Sequence, residues 1–252
     1  MISIGLLGAG NVAHILALHQ TGFRIAAVYD RHEDRRNRIA AETECLSCTT
    51  FDELLALDFS LLVEVASIEA VQQYGLRVLD QGKDLVVLSA GGLLDKAFRQ
   101  TLIRQAGALG CTIRVPSGAL FGLDNMKIGR ISSFDRLELR TTKPSRALNL
   151  DVLERTCLFK GTAEECVRQY PRNINVAATL ALASDHDVFV ELWVDPEAQC
   201  NKHEIFVSGD FGEMKTSVCN IPSPDNPSTS YLAALSIMTL LGELQQPLIV
   251  GT

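Results

Sequence analysis

Small residues at a fixed spacing follow the first apolar segment of the chain. Gly8, Gly10 and Ala13 form the pattern G-x-G-x-x-A, directly after a predicted strand and at the start of a predicted helix. The first glycine allows a tight turn, the second lets the backbone approach a pyrophosphate, and the small third residue permits close packing of helix on strand. The amides of Asn11 and Val12 lie at the helix N-terminus, where they would face an anion. The pattern predicts a binding site for a dinucleotide.

An acidic residue ends the second predicted strand. Asp30 lies about 20 residues after the glycines in the sequence. At this spacing in dinucleotide-binding folds, a carboxylate accepts hydrogen bonds from the hydroxyls of the adenosine ribose. Its negative charge disfavours a 2′-phosphate, so NAD is expected as the cofactor. Arg31 is adjacent and could offset that charge, which leaves NADP open. The mixed charges from Arg31 to Arg38 are typical of a solvated helix face, where only Arg31 is close to the glycine motif.

Ligands of doubly wound sheets bind outside the carboxyl ends of the strands. We therefore expect Ala66 and Ser67, after the fourth strand, and the segment 88–92, after the fifth, to line the nicotinamide half of the site. For Ser67 a second interpretation is equally good, namely that its hydroxyl caps the next helix.

Histidine is the side chain that can exchange protons near neutral pH. Of the five histidines, His203 lies in a polar string at the start of a predicted strand, and composition alone favours a structural role for it as for the others. Metal chemistry is not predicted. The His203–Val207 segment lacks the second histidine of a zinc protease, and Cys45 and Cys48 have no second ligand pair.

Strand and helix patterns alternate through the first half of the chain, as in parallel sheets with crossover helices. Strands are predicted at 2–7, 24–30, 46–48, 61–66, 84–89 and 111–115. Glycines 22, 82 and 110 are placed to end helices in a left-handed conformation, and Thr50 to Glu53 reads as a capping box. The fold class is α/β, a doubly wound parallel-sheet dinucleotide-binding domain plus a smaller α+β domain.

The second half shows consecutive strands without crossovers, which favours an antiparallel or mixed sheet with helices on one face. The predicted strands are 134–141, 153–159, 187–194, 203–209 and 213–219, and the predicted helices are 163–169, 174–184 and 228–244. The predicted division is a dinucleotide-binding domain over 1–115 and an α+β substrate and dimerisation domain over 116–224. The C-terminal segment 225–252 is expected to pack its helix back on the first domain.

Composition excludes several classes of function. The 252 residues are 47% apolar with a net charge of −7, which fits a globular chain and argues against a nucleic acid partner. No apolar run approaches the roughly 20 residues that cross a bilayer, and no signal peptide is evident. The seven cysteines are expected to be free thiols in a reducing compartment, so a cytoplasmic location is predicted.

Four segments of the second half, 115–124, 170–179, 201–205 and 226–235, closely resemble the L-aspartate dehydrogenase family, and the resemblance covers nearly the whole chain. It implies NAD(P)-dependent oxidation of L-aspartate to iminoaspartate, which hydrolyses to oxaloacetate and ammonia or feeds NAD biosynthesis. It also implies that His203 in the string Asn-x-His-Glu is catalytic, and that Ala119 and Asn175 contact the cofactor. The chain departs from its relatives in carrying Phe121 where a small residue is common, and in a shorter link between Ala183 and Asp195.

A dicarboxylic amino acid substrate requires cations or amides that bind its two carboxylates. Candidates are spread over the second half, and the resemblance does not rank them: Ser117, Lys143, Arg172, Asn173 and Lys202. Two alternatives stay open, a reductase of another small amino, keto or imino acid, and a non-catalytic redox sensor that binds NAD. A homodimer joined through apolar strands of the second domain is also expected.

Overall fold

The computed structural model of the protein describes residues 1–170, 175–223 and 226–251. It divides the chain into two compact units. The first comprises Met1–Pro116 and Ala233–Ile249, and the second comprises Ser117–Leu232 and Val250–Thr252.

The first unit contains a six-stranded parallel sheet with the strand order β3-β2-β1-β4-β5-β6. Its strands are β1 (Ile2–Leu7), β2 (Phe23–Tyr29), β3 (Leu46–Cys48), β4 (Leu61–Glu64), β5 (Asp84–Val87) and β6 (Ile113–Arg114). The central strands are buried, as expected for a sheet covered by helices on both faces. The predicted doubly wound fold is confirmed.

Crossover helices connect these strands, with local signals at several of their ends. They are α1 (Asn11–Leu18), α2 (Glu33–Thr43), α3 (Phe51–Leu55), α4 (Ile68–Asp80) and α5 (Lys96–Leu109). Glycines 22, 82 and 110 all have positive φ, as predicted. The capping box predicted at Thr50 is half right. The Thr50 hydroxyl accepts from the Glu53 amide, but the Glu53 carboxylate accepts from the amide of Thr49 instead.

The second unit contains a five-stranded mixed sheet with the strand order β11-β10-β7-β9-β8 and a short hairpin of β12 and β13. Its strands are β7 (Phe134–Pro144), β8 (Thr156–Thr162), β9 (Phe189–Asp195), β10 (Asn201–Gly209), β11 (Gly212–Asn220), β12 (Pro222–Ser223) and β13 (Asn226–Ser230). Its helices are α6 (Leu123–Met126), α7 (Ser145–Leu148), α8 (Ala163–Gln169) and α9 (Asn175–Ser184). A buried cluster joins α8 and α9 to one face of the sheet and includes Leu139, Leu192, Ile205 and Leu180. The predicted mixed sheet with helices on one face is confirmed.

Several boundaries differ from prediction by one to three residues, for example the end of β7 at Pro144 rather than 141. The second strand of this unit covers Thr156–Thr162 rather than 153–159. The segment from Ser228 to Ser230 belongs to β13, so the last helix, α10 (Tyr231–Glu243), starts later than predicted. From Ala233 onward α10 belongs to the first unit, in which Gln245 Nε2 donates to the Gly22 carbonyl at 2.6 Å.

The expectation that all cysteines are free is wrong for one pair. Cys200 and Cys219 form a disulfide between β11 and the residue preceding β10, with their Cα atoms 5.8 Å apart. Cys45 and Cys48 are free, and burial raises the pKa of both thiols, which disfavours the reactive thiolate. No helix in the described part of the chain is long and apolar enough to cross a membrane.

Candidate active site

The glycine loop of the first unit has the geometry that a pyrophosphate site requires. Gly8 has φ +102°, and its amide donates to the Tyr29 carbonyl at 2.8 Å, which fixes the turn after β1. A Cβ placed on Gly10 would meet no described atom within 4 Å, so open space lies in front of this residue. Gly10 is also the N-cap residue of α1, and no side chain caps the helix there, as is typical of a helix N-terminus that receives an anion.

The loops that follow β1 and β4 meet at the point where the strand order reverses. β1 pairs with β2 on one side and with β4 on the other. A Cβ on Gly8 would lie 2.9 Å from backbone and side-chain atoms of Ala66, so only glycine permits this approach. Ala66 is exposed here, and Ser67 caps α4 by accepting a hydrogen bond from the Ala70 amide at 3.2 Å. The capping interpretation of Ser67 is therefore confirmed, and its cofactor contact stays a prediction.

Asp30 is tied to the glycine loop by its own carboxylate. One oxygen accepts from the Ala9 amide at 2.7 Å and the other from the His32 amide at 2.8 Å. Each carboxylate oxygen has two lone pairs, so both retain capacity to accept a ribose hydroxyl. Arg31 is exposed beside it. The buried Arg36 donates to the Asp30 carbonyl at 3.4 Å, and the expectation that Arg31 alone of this charged segment lies near the glycine motif stays a prediction.

Glu64 is a functional candidate that the sequence analysis missed. Its carboxylate is 1% exposed and accepts from the amides of Ala66, Ser67 and Ser89 and from the Ser89 hydroxyl, at 2.7 to 3.0 Å. Burial raises the pKa of Glu64 to about 7 in spite of these donors. One acid thus fixes the loops after both β4 and β5. The signal was an acidic residue inside the otherwise apolar segment 61–65, which is unexpected in a buried strand.

His203 lies on β10 in the second unit, facing the same side of the sheet as the apolar core. The side chain is 3% exposed, and Nδ1 lies 3.0 Å from Thr141 Oγ1 on the neighbouring β7. In the described part of the chain this is its one hydrogen bond, so Nε2 remains available. Burial, and then the charge of Lys143, lower the pKa of His203 to about 3. The ring is therefore neutral near pH 7, as a proton acceptor must be.

The other histidines described in detail have structural contacts. His14 Nδ1 lies 2.7 Å from a Glu42 carboxylate oxygen, and His186 Nδ1 lies 2.9 Å from the Ser184 carbonyl. His19 forms the C-cap of α1, and His32 is exposed. None of these four histidines is a buried residue, in contrast to His203.

The remaining predicted site residues of the second unit differ in their settings. Ala119 is buried, and its carbonyl accepts from Asn220 Nδ2 at 3.1 Å. Asn175 begins α9, and its buried Oδ1 has no hydrogen-bond partner among the described residues. Ser117 is half-buried, and Lys202 pairs with Glu204 at 3.1 Å. The predicted substrate residues Arg172 and Asn173 lie outside the described residues.

Comparisons with known proteins agree with this arrangement. A family model described as "Aspartate dehydrogenase, C-terminal" matches residues 124–244, and one described as "Homoserine dehydrogenase, NAD binding domain" matches residues 4–116. The fold is similar to the crystal structure of an aspartate dehydrogenase from Thermotoga maritima, with a TM-score of 0.84, 28% identity and 100% of both chains covered.

Curated relatives give higher identities over the full length. The chain is 49% identical over 252 residues to an L-aspartate dehydrogenase of Methanospirillum hungatei, with 100% of both chains covered. It is 38% identical over 260 residues to one of Methanothermobacter thermautotrophicus, with 100% of this chain and 99% of the relative covered. The resemblance found in the sequence is thereby confirmed, and this chain belongs to the L-aspartate dehydrogenase family.

Proposed function

We propose that this protein oxidises L-aspartate with a nicotinamide dinucleotide, and that His203 is the acid–base residue of the reaction. Family membership supports the substrate. The observation that carries the mechanism is the neutral, buried His203 ring, held through Nδ1 by Thr141 with Nε2 available.

The overall reaction balances in two steps. L-aspartate and NAD⁺ give iminoaspartate with its imine nitrogen protonated, NADH and a proton, and water then converts this imine to oxaloacetate and ammonium. When bound, the cofactor supplies the hydride acceptor. The chain must orient the substrate and move protons on its nitrogen and on the attacking water. A positioned imidazole contributes about 10²–10⁴-fold to such proton transfers.

The Thr141 hydroxyl selects which nitrogen of His203 can act. If Nδ1 carries the proton and donates it to Thr141 Oγ1, Nε2 presents its lone pair to the substrate. Nε2 can then take a proton from the substrate ammonium, release it to solvent, and afterwards remove one from the attacking water. Thr141 is thus a positioning residue for the catalytic His203.

Cofactor contacts are proposed residue by residue, each assigned by motif or by resemblance. They are Gly8, Gly10, Asn11, Val12, Asp30, Arg31, Ala66, Ser67, Ala119 and Asn175. The open space at Gly10 and the uncapped start of α1 support the pyrophosphate contact. The unpartnered Oδ1 of Asn175, an acceptor, supports a contact with a donor such as a carboxamide.

NAD is proposed as the preferred cofactor because Asp30 ends β2. Both of its oxygens already accept backbone amides, which fixes the carboxylate in place against the loop. The 2′-phosphate of NADP would be repelled by this carboxylate. Of the two nearby arginines, Arg36 already donates to the Asp30 carbonyl, and Arg31 is exposed to solvent. Comparison of kcat/KM for NAD and NADP tests this preference, and a ratio below one would contradict it.

Turnover is tested by following NADH absorbance with L-aspartate, and in reverse with oxaloacetate and ammonia. A panel of other small amino, keto and imino acids serves as the control for substrate class. Turnover restricted to aspartate supports the proposal. Turnover of another acid alone would assign the reductase alternative, and dinucleotide binding without any turnover would assign the redox sensor.

A homodimer is proposed through the outer face of the second unit's sheet, the face away from α8 and α9. Trp193 and Phe206 are half-buried on this face among charged side chains, with Lys160 and Arg155 near Trp193 and Arg136 near Phe206. Aromatic and arginine side chains are enriched at protein interfaces, within a polar rim. Sedimentation at twice the chain mass is expected, and sedimentation at the monomer mass would contradict the proposal.

A further inference from the structure

The helix-facing side of the second unit's sheet becomes polar at one end of β10. Every second side chain of this strand is buried, in the order Asn201, His203, Ile205 and Val207. Because successive residues of a strand point to opposite faces, these four share one face. Ile205 and Val207 belong to the apolar cluster beneath α8 and α9, whereas the two polar residues lie beyond it. Polar groups are costly to bury unless they are paired or bind a ligand, so this end of β10 is a candidate ligand site.

The Asn201 side chain carries an acceptor without a donor. It is 3% exposed, and its Oδ1 accepts no hydrogen bond from any residue that the structure describes, including the buried Lys143 of β7. Unpaired polar atoms in the interior are uncommon in native proteins, and a role in binding or catalysis is one reason for which they persist. We therefore expect the missing donor to come from a ligand.

Asn220 shows how an asparagine with a structural role is placed on the same face. It lies directly opposite Asn201 in the antiparallel register of β10 and β11, and it is also 3% exposed. Its Nδ2 donates to the Ala119 carbonyl at 3.1 Å, which connects β11 to the loop before α6. Burial at this end of the sheet therefore does not by itself leave an amide side chain unpaired.

The backbone at Asn201 is held on both sides. β10 lies between β11 and β7 in the sheet, and Asn201 pairs with Asn220. The preceding residue, Cys200, forms a disulfide with Cys219, the residue before Asn220. A side chain on such a fixed element can bind a ligand with little loss of conformational entropy.

His203 lies two residues beyond Asn201 on the same face, about 7 Å along the strand. Thr141 contacts Nδ1 of the ring, so Nε2 is the nitrogen that remains available. A small group between the two side chains can reach both. Since Oδ1 and the lone pair of a neutral imidazole nitrogen are both acceptors, that group must bring donors. A primary ammonium has three N–H donors, whereas a carboxylate has none.

The residue between them points away from this position. Lys202 alternates with Asn201 and His203 along β10 and is therefore on the opposite face of the sheet. On that face its Nζ lies 3.1 Å from Glu204 Oε1. Within the string 201–204, only Asn201 and His203 share the helix-facing side.

We infer that Asn201 binds the amino group of the substrate, with its Oδ1 accepting a hydrogen bond from the nitrogen on which His203 Nε2 acts. This inference rests on the proposed function for the identity of the substrate. When Nε2 removes one proton from the ammonium, the nitrogen keeps two N–H bonds, and one of them still donates to Oδ1. Positive charge returns to this nitrogen as the hydride leaves the adjacent carbon, and the negative end of the amide dipole stabilises it.

Calorimetric binding of L-aspartate and of succinate to the NADH-saturated protein tests the contact. Succinate has the two carboxylates but no amine, and aspartate cannot react with NADH. Asn201→Leu is expected to weaken aspartate binding about tenfold or more, as for the loss of a hydrogen bond from a charged donor, and to change succinate binding less than about threefold. An unchanged affinity for aspartate, or an equal loss for both ligands, would overturn the inference.

The matched control is the same substitution at an exposed asparagine of α6. Asn125→Leu should bind both ligands within about twofold of wild type. In every variant the dissociation constant for NADH should also stay within about twofold of wild type, because the glycine loop is untouched. Selective loss of aspartate binding in Asn125→Leu would contradict the assignment to Asn201.

A second variant keeps the test decisive if Asn201→Leu fails to fold. Asn201→Asp retains the size and an acceptor oxygen, and its negative charge favours a ligand that carries an ammonium. The ratio of the succinate to the aspartate dissociation constant should be at least as large as in the wild type. A ratio well below that of the wild type would contradict an acceptor role.

The two proposals fail in different ways. If the wild type oxidises aspartate but the ratio of the two dissociation constants is the same in Asn201→Leu as in the wild type, this inference alone fails. If the ratio falls as expected but the wild type does not oxidise aspartate, the proposed function alone fails. An NADH complex of the wild type that binds no aspartate would contradict the amine contact.

Discussion

The surroundings of His203 hold its ring in the neutral form, because both burial and the Lys143 charge lower its pKa. In the unfolded chain an imidazole titrates near 6.5. Below that pH the unfolded state therefore binds a proton that the native state refuses until about pH 3, so stability falls as the pH falls through this window.

This linkage gives a prediction for His203→Asn, which cannot titrate. Between pH 6.5 and pH 5 the wild type should lose about 2 kcal/mol of unfolding free energy more than the variant. Urea unfolding followed by the fluorescence of Trp193, the single tryptophan, measures this in the same unit of the fold. An equal loss in both proteins would show that the histidine is not buried as described.

Thr141 allows a prediction about orientation rather than charge. Thr141→Val keeps the shape but removes the hydroxyl that holds Nδ1, so kcat should fall about tenfold, the equivalent of one lost hydrogen bond. Thr141→Ser should retain most of the rate. The KM for the nicotinamide dinucleotide should not change in either variant, and a shift in that constant instead of kcat would argue against a positioning role.

At the scale of single residues, the sequence could identify Gly8, Gly10 and Asp30 because their roles follow from order along the chain. It could not identify Thr141 or Lys143 as neighbours of His203. Thr141 and His203 are 62 positions apart, and their contact depends on the pairing of β7 with β10. Alternation along β10 already places Lys202 on the other face, but only the register with β7 shows that Lys143 shares the face of the histidine.

Among the secondary structure elements, β4 and β5 are connected at their carboxyl ends by Glu64. In Glu64→Gln the side-chain NH2 group would face backbone N–H groups that now donate hydrogen bonds to the carboxylate. Some of these hydrogen bonds would be lost, so both loops should become less ordered. We expect Glu64→Gln to weaken NADH binding about tenfold, which corresponds to about 1.4 kcal/mol. NADH fluorescence titration measures the change.

The exposed acid Glu44 provides the matched control for this variant. Glu44→Gln should bind NADH with wild-type affinity. If Glu64→Gln also binds NADH as tightly as the wild type, the loops do not depend on the buried carboxylate.

The disulfide between Cys200 and Cys219 connects the start of β10 to the end of β11. Closing a loop of 19 residues is worth about 3 kcal/mol in the chain-entropy description. Reduction, or Cys200→Ser, should therefore lower the unfolding free energy of the second unit by about 2–4 kcal/mol. Cys45→Ser is the control and should show no such loss. If a reductant does not change the unfolding transition followed by Trp193 fluorescence, Cys200 and Cys219 do not form a disulfide in solution.

Among elements, those of the first unit could be predicted best because helix caps and apolar strands are local signals. The pairing of Cys200 with Cys219 could not be predicted, since cysteine spacing does not reveal the β10–β11 register. The predicted start of the last helix was three residues too early, because no helix-breaking residue separates Ser228, Thr229 and Ser230 from the apolar run that follows. Pairing with β12 keeps this segment extended, which is a tertiary effect.

At the scale of the whole molecule, order along the chain specified the class of fold. Alternating strands and helices give a parallel sheet with its ligand loops at one edge, and consecutive strands give the mixed sheet of the second unit. The roles of the two units as cofactor and substrate domains follow from their residues and stay a prediction, as do the homodimer and the cytoplasmic location.

The central claim is that His203 performs proton transfer and does not merely fill the sheet. Single-turnover formation of NADH, after the NAD-saturated protein is mixed with excess L-aspartate, tests it most directly in the wild type and in His203→Asn. We expect a rate about 10²–10⁴-fold lower in the variant, with the dissociation constant for NADH within twofold of wild type. An unchanged rate in the variant would show that His203 is not the acid–base residue.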